Sequence, residues 1–422
     1  MTEQISVEEY AAKARVFLDA NAEKKEARKK FVWGEGSDNV SMFEERSKDA
    51  EAEMLRRAKA WQALRFDNGF AWITGPTEYG GAGLTVAHER AYNQVEREYK
   101  TAPLGAFQIG LGMVAPTILD HASQKARDLY LRKMWRADIV GCQLFSEPGA
   151  GSDLASVQAK AEKDGDEWII TGQKVWTSGA TEANMMFCLC RTDFDVPKHQ
   201  GISYVLLPMF HDDKSSNGIE LRPIQQPHGA SHFTETFLTE SRAPVANIIG
   251  GMNNGWRVTM TTLGNERGGN ATTQHVEFTR QFWDGVKLLK ESGKTADPVV
   301  RQQLAWAFTH VEIMRFQGLK LLSEVIARKE PGPAASINKM FWSEYAQKFS
   351  TFMVNARGAD SLLIENDKDG KYEVDRWIGS MFQHRSSTIW GGTAQVQRNI
   401  VGERVLGLPK EPDPNKPRPQ VD

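Results

Sequence analysis

The chain has 422 residues, of which 40% are hydrophobic and 25% charged, which is enough to build two or three domains. Its 52 basic and 54 acidic residues leave a formal net charge of -2, which gives no reason to expect a nucleic-acid-binding protein. Three cysteines without a CxxC pair argue against a disulfide framework and are typical of a reducing compartment. No signal-peptide pattern and no apolar run near the roughly 20 residues of a bilayer span are found, so we expect a cytoplasmic protein without a membrane span.

Helix-forming residues dominate the first third of the chain. Residues 41–66 are rich in Ala, Glu, Arg and Leu, and residues 85–99 and 123–135 each begin with a Thr or Ser that can cap a helix. Glycines and a proline between positions 75 and 83 interrupt the pattern and predict a loop. The sequence therefore predicts an all-α domain over residues 1–140.

From Gly141 the pattern changes to short β-rich runs separated by turns. Strands are predicted over residues 157–161, 168–170, 174–176, 185–190, 202–207, 219–224 and 234–238. Turns are predicted at residues 163–166 and at Thr171-Gly172. Strands at this spacing, without long helices between them, favour an antiparallel sheet over a doubly wound parallel one. We therefore predict a middle antiparallel β-domain over residues 141–251.

Long amphipathic helices are predicted after Gly255. They cover residues 256–290, 297–329 and 336–363, with a last segment that reaches Val405. Asp297-Pro298 is a typical helix start, with Asp as the cap and Pro in the first turn. These segments predict a C-terminal four-helix bundle over residues 252–409, followed by a Pro-rich tail over residues 410–422. The fold class is therefore α+β.

Several generic motifs are incomplete. Gly293-Lys294-Thr295 lacks the earlier glycine of a phosphate-binding loop, and Gly149-Ala150-Gly151 lacks the third glycine of a dinucleotide fingerprint. His228 and His232 stand four residues apart in a predicted loop, without the further ligands of a metal centre. We therefore predict no metal site.

Two segments of the predicted β-domain are more informative. Residues 146–153, SEPGAGSD, place two glycines and a proline in a tight loop whose backbone N–H groups can approach ligand oxygens closely. Residues 172–179, GQKVWTSG, place Trp176 beside hydroxyl side chains. Taken singly, the two segments are also compatible with a purely structural role, the first as an elaborate β-turn and the second as a strand with a core tryptophan.

Together these segments resemble the acyl-CoA dehydrogenase family. Further similar segments follow in family order: YGGAGL at 79–84, LGNER at 263–267, GTAQVQR at 392–398 and ERVLGLP at 403–409. The resemblance covers roughly residues 60–410. It implies the fold of that family, FAD as cofactor, and α,β-dehydrogenation of an acyl-CoA thioester. In that reaction a Glu abstracts the α-proton and the β-hydride passes to flavin N5.

The resemblance also implies roles for particular residues. Flavin contacts are expected from Gln143, Phe145, Ser146, Gly151, Ser152, Trp176, Thr177, Ser178, Gly392, Thr393 and Gln395. Contacts to the acyl-CoA substrate are expected from Ser152, Asn265 and Arg267. Many family members place the catalytic Glu directly before the final GT, but here that position is Gly391. A minority place it on the first bundle helix, where this chain has Glu266, so Glu266 is predicted to be the base.

Further departures indicate a subgroup. WGGT replaces the usual EGT, residues 331–333 form a Pro-Gly-Pro segment, and residues 290–295 lack the arginine of the RxTFG-like element. This combination resembles bacterial members that act on sterol or bile-acid side chains, some of which form heterotetramers that share FAD sites. The expected partners are an acyl-CoA substrate, an electron-transfer flavoprotein or similar acceptor, and further chains in a homodimer, homotetramer or heterotetramer.

Two alternatives stay open on the sequence alone. The chain is then either a non-catalytic or site-sharing partner subunit of a heteromeric enzyme, or a flavin oxidase or monooxygenase on the same fold. The missing arginine favours the partner subunit, whereas Glu266 argues against it.

Overall fold

The computed structural model describes residues 5–25, 48–227, 231–269, 274–327, 335–362, 365–366, 372–373 and 376–410. The chain divides into two compact units, the first ending at Glu266 and the second beginning at Arg267. Several predicted features lie outside the described residues: the helix start at 41–47, His228, the Pro-Gly-Pro segment at 331–333 and the tail from 411. The predicted domain boundaries at residues 140 and 251 stay predictions.

Helices form the N-terminal part of the first unit. They are α1 (Val7–Asn21), α2 (Lys48–Asp67), α3 (Val86–Glu96), α4 (Ala115–His121) and α5 (Gln124–Trp135). A further helix, α6 (Gly255–Gly269), follows the β-strands of this unit and ends in the second unit. Thr85 and Ser123 stand at the N-cap positions of α3 and α5, as their position in the sequence predicts. Helices α1 and α4 were not predicted. Helix α1 begins at a capping box between Ser6 and Glu9.

The β-strands of the first unit form a two-stranded and an eight-stranded sheet. The small sheet pairs β1 (Glu23–Lys24) with β2 (Tyr99–Lys100). The large sheet contains β3 (Gly141–Leu144), β4 (Lys160–Asp164), β5 (Glu167–Ser178), β6 (Met185–Arg191), β7 (Ile202–Pro208), β8 (Ile219–Ile224), β9 (Phe233–Pro244) and β10 (Ile248–Ile249). Its order is β10-β7-β6-β4-β5-β9-β8, with β3 beside β6.

The antiparallel β-domain is confirmed for most neighbouring strands. The exceptions are β3 and the first residue of β4, which both pair with β6 in parallel. The predicted turn at Thr171-Gly172 is wrong, because β5 runs through it with a shift of register against β9. A Cβ at Gly172 would lie 2.5 Å from the Cβ of Ala159, so glycine is needed there for close packing rather than for a turn.

All three cysteines lie in the core of the large sheet. Cys142 is on β3, Cys188 and Cys190 are on β6, and each is fully buried with a free thiol. Burial without a nearby cation raises the pKa of the Cys142 thiol well above its usual range.

The second unit is a helical bundle. Its helices are α7 (Gln274–Glu291), α8 (Pro298–Ile326), α9 (Ala335–Arg357), α10 (Arg376–Ser387) and α11 (Ala394–Ile400), with a short hairpin of β11 (Glu365–Asn366) and β12 (Tyr372–Glu373). Helices α7 to α10 pack around buried aromatic side chains, among them Phe282, Tyr345 and Trp377. The single predicted helix over 256–290 is described as α6 and α7. Among the described residues no helix is both long and apolar enough to cross a bilayer.

Candidate active site

The SEPGAGSD segment is a tight loop directly after β3. The backbone N–H and C=O groups of Glu147 and Ala150 bond to each other in both directions, at 3.1 and 3.0 Å, and close the loop. Gly149, Gly151 and Ser152 are exposed at its tip. Within the part of the chain that the structure describes, the N–H groups of these three residues donate no hydrogen bond. They are therefore available to a ligand.

The two glycines of this loop are not required by the fold of the chain itself. Neither Gly149 nor Gly151 has a positive φ, and a Cβ on either would meet nothing within 4 Å. The absence of side chains here leaves open space beside free backbone N–H groups. That combination suits a ligand that approaches the main chain closely.

Trp176 lies on a bulge of β5. The register between β5 and β9 shifts between Lys174 and Thr177, and Trp176 has a φ of 62°. This left-handed conformation costs a bulky residue on the order of 1 kcal/mol or more. The indole is 57% exposed and contacts only the edge of Phe233 among the described aromatic rings, at 6.1 Å between centroids. The interpretation of Trp176 as a core tryptophan is therefore wrong.

Other predicted flavin contacts differ in their burial. Phe145 is buried and meets Tyr204 edge-on. Thr177 is fully buried, and its hydroxyl accepts a hydrogen bond from Thr236 at 3.1 Å. Gln143, Ser146 and Ser178 are half-buried. The side chains of Phe145 and Thr177 thus pack inside the unit, whereas Trp176 and the loop tip face outwards.

An ion pair that sequence reasoning missed lies under the loop. The ammonium of Lys174 is fully buried and donates to Glu147 Oε1 at 2.8 Å. It also donates to the carbonyl oxygens of Phe145 at 3.1 Å and Leu189 at 2.5 Å. The other interactions of the Glu147 carboxylate are with the backbone N–H groups of Gln158 and Ala159, at 2.6 and 2.9 Å. Both charges are therefore completely hydrogen-bonded.

Helix α6 carries Asn265, Glu266 and Arg267. The backbone of all three is helical, but the side chains of Glu266 and Arg267 lie outside the described residues. Asn265 Nδ2 donates to the carbonyl oxygen of Met113 at 3.5 Å. Met113 belongs to a π-helical turn, Gly110–Val114, an irregularity often found at functional sites.

Two further contacts fix α6 against α4. Thr262 Oγ1 lies 3.0 Å from Thr117 Oγ1, and Thr261 Oγ1 lies 2.7 Å from His121 Nε2. Position 266 follows Thr262 by one helical turn. The backbone that carries the predicted base is therefore held on a regular, anchored helix.

The WGGT segment, Trp390–Thr393, lies in the second unit. Gly391 and Gly392 have φ angles of 64° and 85°, both left-handed. Lys339 donates to the carbonyl oxygens of Gly392 and Ser387, each at 2.9 Å. The hydroxyl of Thr393 accepts from the N–H of Val396 at 3.2 Å and so caps α11. A side chain at position 391 would be strained by the backbone, which is consistent with the missing carboxylate.

Gln395 is exposed on α11 and lines a cavity of about 690 Å³ within the second unit. Lys348 and Arg385 bring positive charge to the lining, and Arg385 donates to Thr351 Oγ1 at 2.9 Å. Glu344, also in the lining, pairs with Arg398. The cavity is large enough to hold part of an extended ligand. In the described ranges, no group of three or more side chains suits a metal ion.

Comparisons with known proteins match almost the whole length of the chain. Family models match in order: acyl-CoA dehydrogenase N-terminal domain at residues 26–138, middle domain at 142–240 and C-terminal domain at 253–406. Acyl-CoA dehydrogenase IpdE1 of Mycolicibacterium smegmatis is 33% identical over 417 residues, which cover 96% of this chain and 99% of that protein. Acyl-CoA dehydrogenase IpdE1 of Mycobacterium tuberculosis is 34% identical over 405 residues, which cover 96% of this chain and 98% of that protein.

Solved structures agree with these matches. The Tcur3481-Tcur3483 steroid ACAD superposes with a TM-score of 0.70 at 26% identity, over 97% of this chain and 99% of the matched one. The ChsE4-ChsE5 complex from Mycobacterium tuberculosis gives a TM-score of 0.69 at 24% identity, over 97% of this chain and 100% of the matched one, which is evidence of a shared fold.

Proposed function

Since the chain belongs to the acyl-CoA dehydrogenase family and is therefore an FAD-dependent oxidoreductase, we propose that it desaturates the α,β carbons of a bulky acyl-CoA thioester, with Glu266 as the base. The observation that carries the assignment of the base is the contrast between two positions. Gly391, the usual position of the Glu, has a left-handed backbone, whereas Glu266 stands on the anchored helix α6.

The residues of the loop and of β5 fit the cofactor. The free N–H groups of Gly149, Gly151 and Ser152 suit the polar oxygens of a flavin nucleotide. Trp176 offers an exposed ring on β5, the strand whose Val175 N–H bonds to the start of the loop. FAD, when bound, supplies the acceptor for the β-hydride. Gln143, Ser146 and Ser178 supply further polar groups. Gly392, Thr393 and Gln395 stay proposed flavin contacts on the family resemblance alone.

The substrate α-proton requires a positioned carboxylate. The α-carbon of a thioester is weakly acidic, so proton removal needs a base held at that carbon. Glu266 takes this proton and keeps it on its carboxylate. Asn265, Arg267 and Ser152 are the proposed contacts to the thioester and its CoA, and the anchoring of α6 through Thr261 and Thr262 holds the base in place.

The proposed substrate class is a sterol or bile-acid side-chain thioester. The support comes from the WGGT segment and from the steroid ACAD named among the similar structures. A panel of CoA thioesters, from short and branched acyl groups to steroid side chains, tests this under anaerobic conditions by the bleaching of flavin absorbance. We expect the steroid thioester to give the highest rate constant. A straight short-chain thioester that bleaches the flavin fastest would contradict the proposed class.

A site-sharing partner subunit is the second candidate function. It is favoured by the missing arginine at residues 290–295 and by the two-protein names of the similar structures. Two measurements distinguish a partner subunit from an autonomous enzyme: the native mass and the FAD content. Both are made on the chain expressed alone and on the chain expressed with a second acyl-CoA dehydrogenase chain. A homodimer or homotetramer with one FAD per chain favours the autonomous enzyme, and FAD bound only in the mixed complex favours the partner subunit.

The electron acceptor is proposed to be an electron-transfer flavoprotein or a similar protein. Reduced flavin that is reoxidised rapidly by such an acceptor, and slowly by air, is the expected result. Rapid reoxidation by air without an acceptor would instead show an oxidase or monooxygenase on this fold. The cytoplasmic location stays a prediction.

A further inference from the structure

The Glu147–Lys174 ion pair fastens distant segments of the first unit to one point. Lys174 is on β5, and its acceptors are the carbonyl oxygen of Phe145, the carboxylate of Glu147 and the carbonyl oxygen of Leu189. These acceptors are 29, 27 and 15 residues away in sequence. The Glu147 carboxylate also accepts hydrogen bonds from two backbone N–H groups directly before β4. The pair thus joins the start of the loop and the segment directly before β4 to strands β5 and β6.

Lys174 of this pair is also the residue at which the Trp176 bulge begins. In a regular strand, residues 174 and 176 would point to the same face. Here Lys174 and Thr177 both point inwards, and Trp176 is the extra residue that the bulge turns outwards. The N–H of Val175 donates to the carbonyl oxygen of Ser146 at 2.9 Å and links the bulge to the loop.

Stability alone does not explain why two charges are buried here. Desolvating an ion pair offsets most of the energy gained from pairing, so a well-packed apolar pair is often at least as stable. What an apolar pair does not reproduce is the set of directional bonds from one ammonium and one carboxylate to four backbone groups. The pair therefore specifies a geometry.

We propose that the Glu147–Lys174 pair is a positioning device for the flavin wall, which holds the loop tip and Trp176 in the arrangement that FAD binds. This inference rests on FAD binding at this loop. Neither residue is a catalytic residue, since both act through the backbone that they hold.

The test compares FAD affinity with stability in the deflavinated full-length protein. Lys174→Met and Glu147→Gln remove one charge each, and the double variant Glu147→Leu/Lys174→Met leaves no buried charge unpaired. The matched control is Asn217→Ala. Asn217 is buried in the same unit and makes three hydrogen bonds, to Pro208 O at 2.8 Å, Arg242 O at 2.7 Å and Arg242 N at 2.9 Å, none of them to the loop.

We expect the single variants to raise the Kd for FAD by on the order of 10- to 100-fold, the range seen for residues that hold direct contacts in place. Asn217→Ala lowers the melting temperature to a similar extent but keeps the Kd within about threefold, because it touches no part of the wall. The double variant recovers the melting temperature and keeps the weakened affinity. The visible circular dichroism of the bound flavin changes in the pair variants and not in the control.

Three results would overturn the proposal. The first is a Kd for FAD within about threefold of wild type in Lys174→Met, and the second is wild-type affinity for FAD in the double variant. The third is a loss of FAD affinity in Asn217→Ala equal to that in the pair variants. Each would mean that the pair affects only general stability. Should the single variants not fold, the double variant carries the comparison. A wild-type protein that binds FAD but is bleached by no acyl-CoA thioester refutes the dehydrogenase proposal and leaves this test intact.

Discussion

The SEPGAGSD loop of the first unit and the WGGT segment of the second unit are held in different ways. The SEPGAGSD loop owes its shape to the buried pair beneath it, Glu147 and Lys174, and its tip consists of small exposed residues. The WGGT segment depends on two successive left-handed glycines, whose carbonyl oxygens accept hydrogen bonds from Gln397 and Lys339. The buried pair holds the SEPGAGSD loop from beneath and leaves its tip free to contact a ligand. The WGGT segment needs glycine at two positions, so neither position can carry a functional side chain.

This difference bears on the position of the proposed base. A Glu at position 391 would have to adopt a φ near 64°, a conformation that side chains with a Cβ disfavour. On α6 the backbone of position 266 is an ordinary helix, in which Glu is a good former. The proposed base therefore causes no backbone strain at position 266.

The largest expected effect concerns Glu266. Glu266→Gln keeps the size of the side chain and removes its basicity, so we expect flavin reduction by substrate to slow by on the order of 10²–10⁴-fold, with binding of FAD and thioester retained. Stopped-flow measurement of flavin bleaching tests this. Glu277→Gln, on the surface of α7, is the matched control and leaves the rate unchanged. A rate within about threefold of wild type in Glu266→Gln would mean that another residue or a partner chain supplies the base.

Acid is expected to weaken the second unit through His384. Burial lowers the pKa of this histidine to about 4, so the folded protein keeps it neutral while the unfolded chain takes up a proton below about pH 6.5. Its contribution to stability is therefore lost as the pH falls from about 6.5 to 4, by about 2 kcal/mol at pH 5. His384 Nδ1 lies 3.0 Å from Ser387 Oγ, next to the carbonyl that Lys339 holds.

Urea unfolding of the wild type and of His384→Gln at pH 7, 6 and 5 measures this effect. The difference in free energy of unfolding between the two proteins should shrink as the pH falls, because the variant has no proton to gain at this position. Parallel pH profiles for the two proteins would show that this histidine does not contribute.

A smaller effect is expected at Gly391. Gly391→Ala forces a residue with a Cβ into the left-handed region and should destabilise the protein by about 1 kcal/mol. The matched control is Gly379→Ala, inside α10 and with open space around its Cβ, which should stabilise by up to about 1 kcal/mol. The opposite sign of the two changes in chemical denaturation tests the idea that the WGGT segment depends on its backbone. For the same reason Gly391→Glu should restore little of the activity lost in Glu266→Gln.

The smallest effect on stability is expected at Trp176. Because its indole is exposed, Trp176→Ala should change the free energy of unfolding of the deflavinated protein by no more than about 0.5 kcal/mol. Trp168→Ala, on the same strand but in the core, should cost about 3–5 kcal/mol. In flavin titrations the order should reverse, with the larger loss of affinity in Trp176→Ala. A stability loss at Trp176 as large as that at Trp168 would contradict the outward-facing bulge.

Local patterns predicted most elements of the fold. The turn at residues 163–166, with Gly165 at a φ of 59°, joins β4 to β5 as expected. Gly172 was misassigned to a turn because its role, close packing against Ala159, depends on a partner that is distant in sequence. Helix α1 was not predicted, although its buried residues Tyr10, Ala14 and Phe17 have the spacing of one helix face.

The sequence indicated which segments form the loop and the strand of the candidate site, but not the interactions that hold them. Motifs located the loop and Trp176, since their composition is local. The burial of Lys174 was not foreseen, because lysine is usually exposed and its acceptors come from segments 15 to 29 residues away. Likewise, the outward direction of Trp176 follows from the register of β5 against β9, which no run of residues specifies by itself.

The reactivity of the buried cysteines shows when strands of the large sheet separate. Cys142 on β3 and Cys188 and Cys190 on β6 are fully covered in the folded protein, so a thiol reagent reaches them only when these strands separate. Strand β3 leads directly into the SEPGAGSD loop, so a cofactor bound there opposes that separation. The rate of thiol modification therefore measures how often the strands of the sheet separate. Added FAD should slow this rate in proportion to the fraction of the protein that has FAD bound.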